Sequence, residues 1–428
     1  MFDPTSVPAG MTRRHFMSHL ASTTLALPAM SFVNSLEAHA AAGRKTNKSC
    51  ILLWMSGGPS HMDTWDLKPE SEKNGGEFKP IATSAPGVMI SEHLPTVAKN
   101  FKHLNVLRSL DSREGNHDRG TYVMHTGYIP NPTVVHPSFG SVCSYELGER
   151  LQNFDLPHYI SISTPAMGAG FLGMTHAPFM VQNPNAPISN MKPPSGVDDM
   201  RMNRRLNMLS MVEHNFIQSK RGGMPGDHKA VYAKTVRMMS SQYNRAFKIE
   251  EEPAAVREAY GKGGFGSACL MARRLVEMGV TFVEIGLGGW DTHTDNFKKL
   301  STDLLPQLDK GMGTLVGDLA QRGLIDTTMV VWMGEFGRTP RINQNAGRDH
   351  WPKGWSIVMG GAGMSGGHAI GATDKDGMEI VDRPLGIMDV VATMTKAMGI
   401  DLATQYTTPR GRPYKIVDDG KPIPELFS

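Results

Sequence analysis

The sequence has few of the features that mark several protein classes. It contains only three cysteines in 428 residues, Cys50, Cys143 and Cys269, and they form no CxxC pair. This argues against a zinc–thiolate site and allows at most one disulfide, so we expect buried free thiols. The net charge is only +3, and the basic residues are spread along the chain. The sequence therefore gives no sign of a nucleic-acid-binding surface, and no nucleic acid is expected as a partner.

Long apolar runs are also missing. No stretch after the amino terminus approaches the ~20 apolar residues that a membrane-spanning helix needs. The amino terminus has paired arginines, Arg13 and Arg14, then a short apolar stretch and an Ala-x-Ala end at Ala40. These parts, in this order, predict a twin-arginine export signal over residues 1–40. We expect a periplasmic or secreted bacterial protein without a stable span after signal removal. The alternative is an amphipathic amino-terminal helix of a cytosolic protein.

Strand-like and helical patterns alternate along the rest of the chain. Apolar runs rich in β-formers predict buried strands at 50–55, 104–110, 280–285, 328–333 and 355–359. Helical spacing of apolar residues lies between them, for example at 267–278 and 303–322. This order is typical of a doubly wound α/β fold. We predict one domain over 41–428, with a helical or irregular insertion or cap at about 165–265.

Charged residues follow these strands where ligands bind in open α/β sheets. Asp291 and His293 come after the strand at 280–285, and Glu335 comes after the strand at 328–333. Asp349 and His350 precede the strand at 355–359. An acid and a histidine separated by one residue can place a carboxylate and an imidazole on one divalent cation. The sequence thus predicts a cluster of acids and histidines at one sheet edge.

Two further loops point to the same edge. A helix predicted to start near His117 would direct its free N–H groups into the crevice, where they could hold an oxyanion. His125, two turns into that helix, is predicted to be a packed structural histidine. After the first strand, Gly57-Gly58-Pro59 predicts a tight turn that allows close backbone approach to a ligand. His61 and Asp63 could reach the site from this turn, or Asp63 could only cap it.

The order of motifs resembles a large exported bacterial family, the domain of unknown function 1501. The motifs are LLWMSGGPSHMDTWD, NHDRGTYVMHTGYIP, GGWDTHTDNF, GEFGRTP and GRDHWP, and they extend over nearly the whole chain. That family is in turn similar to the alkaline phosphatase and sulfatase superfamily. The resemblance implies a mostly parallel sheet sandwiched by helices, with metals at the strand tips.

The chain also departs from the superfamily pattern. Ser56-Gly57 stands where a phosphatase has a metal-binding aspartate, and the nearest acid is Asp63. Near His117, where a sulfatase would have its nucleophile, there is no cysteine or serine. Glu335-Phe336 replaces the second acid–histidine pair of a phosphatase.

Three hypotheses follow. The first is a metal-dependent hydrolase of phosphate or sulfate esters, acting on a small molecule or a glycan, with zinc, calcium or manganese bound. The second is a non-catalytic exported protein that binds a metal or an anionic glycan in the same pocket. The third is a charged cluster that holds loops together without a metal. For the hydrolase, the candidate metal ligands are Asp291, His293, Glu335, Asp349 and His350.

The other candidates would contact the ester or take part in catalysis. Arg119, Arg338 and Arg348 could grip its oxygens, since guanidinium groups bind oxyanions in a bidentate manner. His117 could be a nucleophile, a ligand or a general acid, and Thr121 is a weaker nucleophile candidate. Asp118 and His61 complete the predicted site.

Overall fold

The structure, a computed structural model, describes residues 47–148, 154–188, 191, 195–218 and 224–428. Within it, Lys48–Ser428 forms one compact unit. The predicted export signal at residues 1–40 lies outside the described residues, so it stays a prediction.

The centre of this unit is a sheet that has nine strands among the described residues. Two of its strands, Ser49–Trp54 and Thr328–Met333, are buried along their whole length, as their uninterrupted apolar sequences require. In chain order the strands are β1 (Ser49–Trp54), β2 (Leu104–Asp111), β3 (Tyr159–Ile162), β4 (Phe179–Val181), β5 (Phe282–Gly286), β6 (Thr328–Met333), β7 (Lys353–Gly361), β8 (Ala369–Ile370) and β9 (Leu385–Gly386).

Parallel pairing dominates the sheet. The spatial order is β8-β2-β7-β6-β1-β5-β3-β4, and β9 also pairs with β2. Strand β7 is antiparallel to both of its neighbours, β2 and β6, whereas the other pairs are parallel. The chain therefore enters β7 at the edge where the parallel strands end. This direction brings the segment before β7 beside the loops that follow β1, β5 and β6.

Helices cover both faces of the sheet. Alternate residues of β1 point to opposite faces, so Ile51 and Leu53 belong to one core and Cys50 and Leu52 to the other. The helices are α1 (Pro95–Asn100), α2 (His117–Thr126), α3 (Phe139–Gly148), α4 (Asp199–Gln218), α5 (Met224–Ser240), α6 (Ala254–Tyr260), α7 (Gly264–Met278), α8 (Asn296–Lys299), α9 (Leu305–Gln321) and α10 (Ile387–Ala397). Helices α1, α7 and α9 pack in the first core, and α2, α3 and α10 in the second. The predicted doubly wound, mostly parallel α/β fold is confirmed.

Smaller elements lie outside the large sheet. Four two-stranded sheets pair Pro80–Ala82 with Met89–Ser91, Gly337–Arg338 with His350–Trp351, Ala372–Thr373 with Ile380–Asp382, and Gln405–Thr407 with Pro413–Lys415. Helix α5 ends at Ser240, because Ser241 adopts an extended conformation and caps a separate 3-10 turn, Gln242–Phe247. The stretch predicted as an insertion or cap, about 165–265, contains α4, α5 and α6, and its role stays a prediction.

Two expectations from composition can be compared with the structure. All three cysteines are buried free thiols, and burial raises the pKa of each above its ordinary value. In the part of the chain that the structure describes, no helix is both long and apolar enough to cross a membrane.

Candidate metal centre

Three imidazoles converge on one carboxylate oxygen at the sheet edge. Asp291 lies on the loop after β5, and its Oδ1 is 2.9 Å from Nε2 of His293, 3.3 Å from Nε2 of His350 and 3.5 Å from Nε2 of His117. The Nε2 atoms of His293 and His350 are 3.1 Å apart. His117 is the first residue of α2, and His350 pairs with Arg338 in a short hairpin before β7. Three separate loops thus contribute to one centre.

The opposite nitrogen of each ring, Nδ1, bonds to an oxygen acceptor behind it. The acceptors are Glu335 Oε1 for His117 (2.6 Å), Asp349 Oδ1 for His293 (2.6 Å) and the carbonyl of Gly115 for His350 (2.8 Å). A histidine that binds a metal commonly donates its other N–H to a carboxylate or a carbonyl in this way, which fixes the ring and its tautomer.

These acceptors place a proton on each Nδ1, because a carbonyl or a carboxylate can only accept a hydrogen bond. In the neutral form of each ring, Nε2 then carries a lone pair that can bind a cation. In that form the centre offers three nitrogen lone pairs and one carboxylate oxygen to a cation. The donor atoms of His117, Asp291 and His350 all lie within 4.8 Å of one another, close enough to share one ion. The contacts of His293 make it the fourth candidate ligand.

Arg338 supplies the only guanidinium that contacts this centre in the described chain. It is fully buried, and it donates to Asp291 Oδ1 and to the carbonyls of Gly57 and Gly58. Partial burial would raise the pKa of Asp291, but the hydrogen bond and charge of Arg338 outweigh it and hold that pKa below its ordinary value. Asp291 is therefore ionised at neutral pH, as a metal ligand must be.

Two glycines let the loops approach one another closely. Gly57 has a φ of 117°, and a Cβ there would lie 2.3 Å from the backbone nitrogen of Asp291. A Cβ on Gly347 would lie 2.0 Å from the carbonyl oxygen of His293. The turn after β1 is predicted to approach a ligand closely, whereas the close approach that the structure shows is made to the protein's own backbone. The N–H of Gly57 also bonds to Glu335 Oε1 at 2.8 Å and so helps to orient that carboxylate.

Two predicted ligands lie behind the imidazoles instead of beside Asp291. Glu335 is 1% exposed and bonds to the Nδ1 of His117, while Asp349 bonds to the Nδ1 of His293. The hydrogen bond from His293 lowers the pKa of Asp349 below its ordinary value. Both acids belong to the centre, in positions that orient the rings.

Arg348 and His61 are not brought to this centre. Arg348 is fully buried, with Nε and Nη2 on the two carboxylate oxygens of Asp63 at 2.7 and 2.9 Å. Its remaining donors bond to backbone carbonyls, so no N–H is left for an ester. His61 is 1% exposed, burial lowers its pKa to about 4, and no hydrogen bond joins it to Asp291 or to the three imidazoles.

The other candidates lie on the first turn and a half of α2. Arg119 is exposed, and its guanidinium pairs with Glu114 at 2.7 Å. Asp118 is exposed, and Thr121 is partly buried. Asn116 caps the helix by accepting from the N–H of Arg119 at 3.1 Å. The N–H groups of His117 and Asp118 belong to the same first turn, where no intrahelical acceptor exists.

Sequence reasoning did not identify two features of this sheet edge. The first is the Gly115 carbonyl, which orients His350 and which no side-chain pattern could indicate, because every residue has a carbonyl. The second is the role of Asp63. The sequence offered it as a reaching or capping acid, whereas the structure makes it the partner of Arg348.

Sequence comparison places the chain in a family. Residues 47–427 match the family described as "Protein of unknown function (DUF1501)", and the chain belongs to that family. No curated protein matches the chain in sequence.

Several solved structures resemble the chain at low sequence identity. The PsFucS1 sulfatase from Pseudoalteromonas sp. is 12% identical, with 85% of this chain and 71% of that one covered at a TM-score of 0.39. A protein in the alkaline phosphatase superfamily from Vibrio parahaemolyticus is 11% identical, with 83% and 67% covered at 0.37. The phosphonate monoester hydrolase of Agrobacterium radiobacter is 12% identical, with 89% and 77% covered at 0.34.

Proposed function

We propose that this member of the DUF1501 family is an exported, metal-dependent hydrolase of phosphate or sulfate esters. The observation that carries the proposal is the convergence of three imidazole Nε2 atoms on Asp291 Oδ1, each ring being held from behind by an oxygen acceptor. Four ligand atoms that face one point are satisfied better by a shared divalent cation than by contacts with one another.

The donor set favours some cations over others. His117, Asp291, His293 and His350 would supply three nitrogens and one oxygen. Calcium prefers six to eight oxygen ligands, so zinc or manganese fits this set better than calcium does. When bound, such an ion neutralises negative charge on an ester and lowers the pKa of a coordinated water.

The nucleophile in this proposal is water. The groups that contact Asp291 Oδ1 are three imidazoles and the guanidinium of Arg338, and none of them has a hydroxyl or a thiol. Thr121 lies one turn beyond His117 on α2, and no hydrogen bond joins its hydroxyl to the centre within the described chain. We therefore assign His117 a ligand role and leave Thr121 and Asp118 outside the reacting group.

The ester would bind at an open site. The side chains of Asp291, His293 and Asp349 are 47%, 42% and 53% exposed. Such a shallow centre can hold one charged group but cannot enclose a small molecule, as ligand pockets usually do. This supports an ester carried on a larger molecule, such as a glycan, with the α2 N–H groups as contacts for its oxygens.

The test combines elemental analysis with hydrolysis of aryl phosphate and aryl sulfate esters. We expect a stoichiometric divalent metal and turnover that a chelator removes. Asp291→Asn and His350→Ala should lose the metal while the fold is retained, because Asp291 lies on a loop and His350 lies in a two-residue strand outside the large sheet. His368→Ala, a histidine outside the centre, is the matched control and should keep both.

Each other result would change the proposal. Full metal content in either variant would contradict the ligand assignment. Stoichiometric metal without turnover of either ester would reject the hydrolase and favour the non-catalytic binding protein. No metal after reconstitution with zinc, manganese and calcium would leave the cluster as scaffold.

Export is the second part of the proposal, and it rests on Arg13, Arg14 and the Ala-x-Ala end at Ala40. Expression in a bacterium with a working twin-arginine pathway should give periplasmic protein that begins at Ala41. Replacing both arginines with lysine should retain the uncut chain in the cytoplasm. A periplasmic product from that variant would contradict the twin-arginine route.

A further inference from the structure

Helix α4 has an outer face that packs against nothing in the described chain. Four of its apolar side chains are exposed: Met200 (64%), Met208 (63%), Met211 (63%) and Val212 (55%). With 3.6 residues per turn, these four lie within an arc of roughly 120°. Met208, Met211 and Val212 are neighbours in this strip, and Met200 lies on the same side about two turns earlier, with Arg204 between. An apolar strip of this kind usually marks an interaction surface.

Three arginines lie on the same side of the helix. At the same helical spacing, Arg201, Arg204 and Arg205 fall within or beside the arc of the four apolar residues. We define the outer face of α4 as these seven residues. It contains no acidic side chain. The one acid in the described part of the helix body that is well buried, Glu213, lies on the opposite side and accepts from His228 of α5 at 2.8 Å.

The guanidinium groups of the three arginines form no ion pair among the described residues, and the nearby Asp198 carboxylate accepts from the backbone N–H of Arg201 at 2.7 Å. Arg201 donates to the carbonyl of Gly196, and Arg204 contacts the sulfur of Met200 at 3.1 Å. Arg205 is exposed, and no ion pair forms on it. Elsewhere on the surface, arginines commonly pair with acids, as Arg119 does with Glu114. The outer face therefore carries three positive charges beside an apolar strip without internal compensation.

We infer that the outer face of α4 binds an anionic lipid surface. A helix of low net hydrophobicity, with arginines beside an exposed apolar strip, can lie in the plane of a bilayer, where the strip enters the acyl boundary and the cations contact headgroups. The long arginine side chains can keep their charges in the headgroup layer while their stems follow the apolar strip. This inference rests on α4 alone and does not depend on the metal centre.

The charges also indicate which partner the outer face of α4 would bind. A symmetric dimer through this face would bring six arginines into one interface, with no acid of the face to balance them, and such an excess of like charge disfavours association. An anionic surface complements both the cations and the apolar strip. An acidic protein partner would complement the cations too, and the test below separates it from lipid, because only purified components are present.

The experiment is flotation of the purified full chain with lipid vesicles. Phosphatidylcholine vesicles with and without one-third phosphatidylglycerol are compared at low and high salt. We expect binding to the anionic vesicles that high salt weakens, and no binding to phosphatidylcholine alone. The variant Arg201→Gln/Arg204→Gln/Arg205→Gln should bind roughly 100-fold more weakly, since each cation near an anionic surface contributes a factor of about five.

Two further variants complete the test. Lys73→Gln/Arg410→Gln/Arg412→Gln removes the same charge from exposed positions away from α4 and should bind like the wild type. Met208→Ser/Met211→Ser keeps the charge and should weaken binding through loss of the apolar strip. Failure of the wild type to float with anionic vesicles would overturn the inference, and so would equal losses in the α4 and control charge variants. A dimer in sedimentation velocity that Met208→Ser/Met211→Ser dissociates would likewise overturn it, because the face would then join two copies.

Discussion

The two ends of helix α2 place histidines in opposite surroundings. His117, the first residue, bonds through Nδ1 to Glu335, and its Nε2 faces Asp291 Oδ1 at 3.5 Å without a hydrogen bond. His125, two turns further on, has an acceptor at both nitrogens. One is a backbone carbonyl at 2.8 Å and the other is Glu284 Oε1 at 3.1 Å. One helix thus carries a ring with a free nitrogen and a ring with none.

The difference extends to the groups around each ring. Glu284 is fully buried, and its second oxygen accepts from Tyr159 at 2.6 Å, so the polar groups of this network satisfy one another. Burial alone would lower the pKa of His125, but the charge and hydrogen bond of Glu284 outweigh it and raise that pKa above its ordinary value. With both nitrogens facing acceptors, His125 therefore binds a proton more readily than an ordinary histidine does. A histidine with one free nitrogen beside other free donors is available to a ligand.

The largest expected effect comes from breaking the closed network. Glu284→Ala would leave buried His125 without the carboxylate that stabilises its protonated form, and Tyr159 without an acceptor. Removing one partner of a buried ion pair costs about 3–5 kcal/mol. We expect the free energy of unfolding in urea to fall by about this amount.

The control for this prediction is Glu72→Ala. Glu72 is exposed, and its loss should change the free energy of unfolding by less than about 0.5 kcal/mol. A loss of under about 1 kcal/mol in Glu284→Ala would show that the network is not a paired charge.

A smaller effect is expected at the open end of α2. Glu335→Gln keeps the size of the side chain but removes the charge that orients His117. Loss of such an outer partner typically lowers metal affinity by about 10–100-fold, which corresponds to about 1.4–2.8 kcal/mol. Competition titration against a chelating dye would measure the affinity. Glu425→Gln, which changes an acid paired with Arg383 outside the centre, is the matched control. Equal affinities in both variants would contradict the orienting role.

Much of the fold could be predicted from the sequence. The apolar runs at 50–55 and 328–333 correspond to strands that are buried on both faces. Such strands are apolar throughout because neither of their faces meets water. Strands β3, β4, β8 and β9 have two to four residues and were not predicted. A segment that short cannot show a period, and its pairing depends on neighbours that are distant in the chain.

The site could be predicted only to the level of residue types. Asp291, His293 and His350 were expected together because acids and histidines follow strand tips. Which acid faces the imidazole Nε2 atoms, and which bonds to Nδ1 behind a ring, could not be predicted. Glu335 and Asp291 are both acids after a strand, and only geometry distinguishes them. Arg348 also lies at this edge, but its position beneath the surface depends on Asp63, which is far away in sequence.

The pH dependence of stability would sharpen the comparison between the two histidines of α2. The raised pKa of folded His125 means that the folded chain binds a proton more tightly than the unfolded chain, whose histidine titrates near 6.5. The contribution of His125 to the free energy of unfolding is therefore complete below pH 6.5 and is lost as the pH rises through the folded pKa. The loss is about 1.4 kcal/mol for each unit by which the folded pKa exceeds the unfolded pKa. Urea unfolding of the chelator-treated protein between pH 6.5 and 7.5 should show this decline.

In Glu284→Gln the carboxylate that raises the pKa of His125 is absent, so the decline in the free energy of unfolding should shrink. His117 is present in both proteins, and its contribution cancels in the difference. Equal slopes in the two proteins would mean that His125 is neutral in the folded chain, and the contrast between the two ends of α2 would then be one of burial alone.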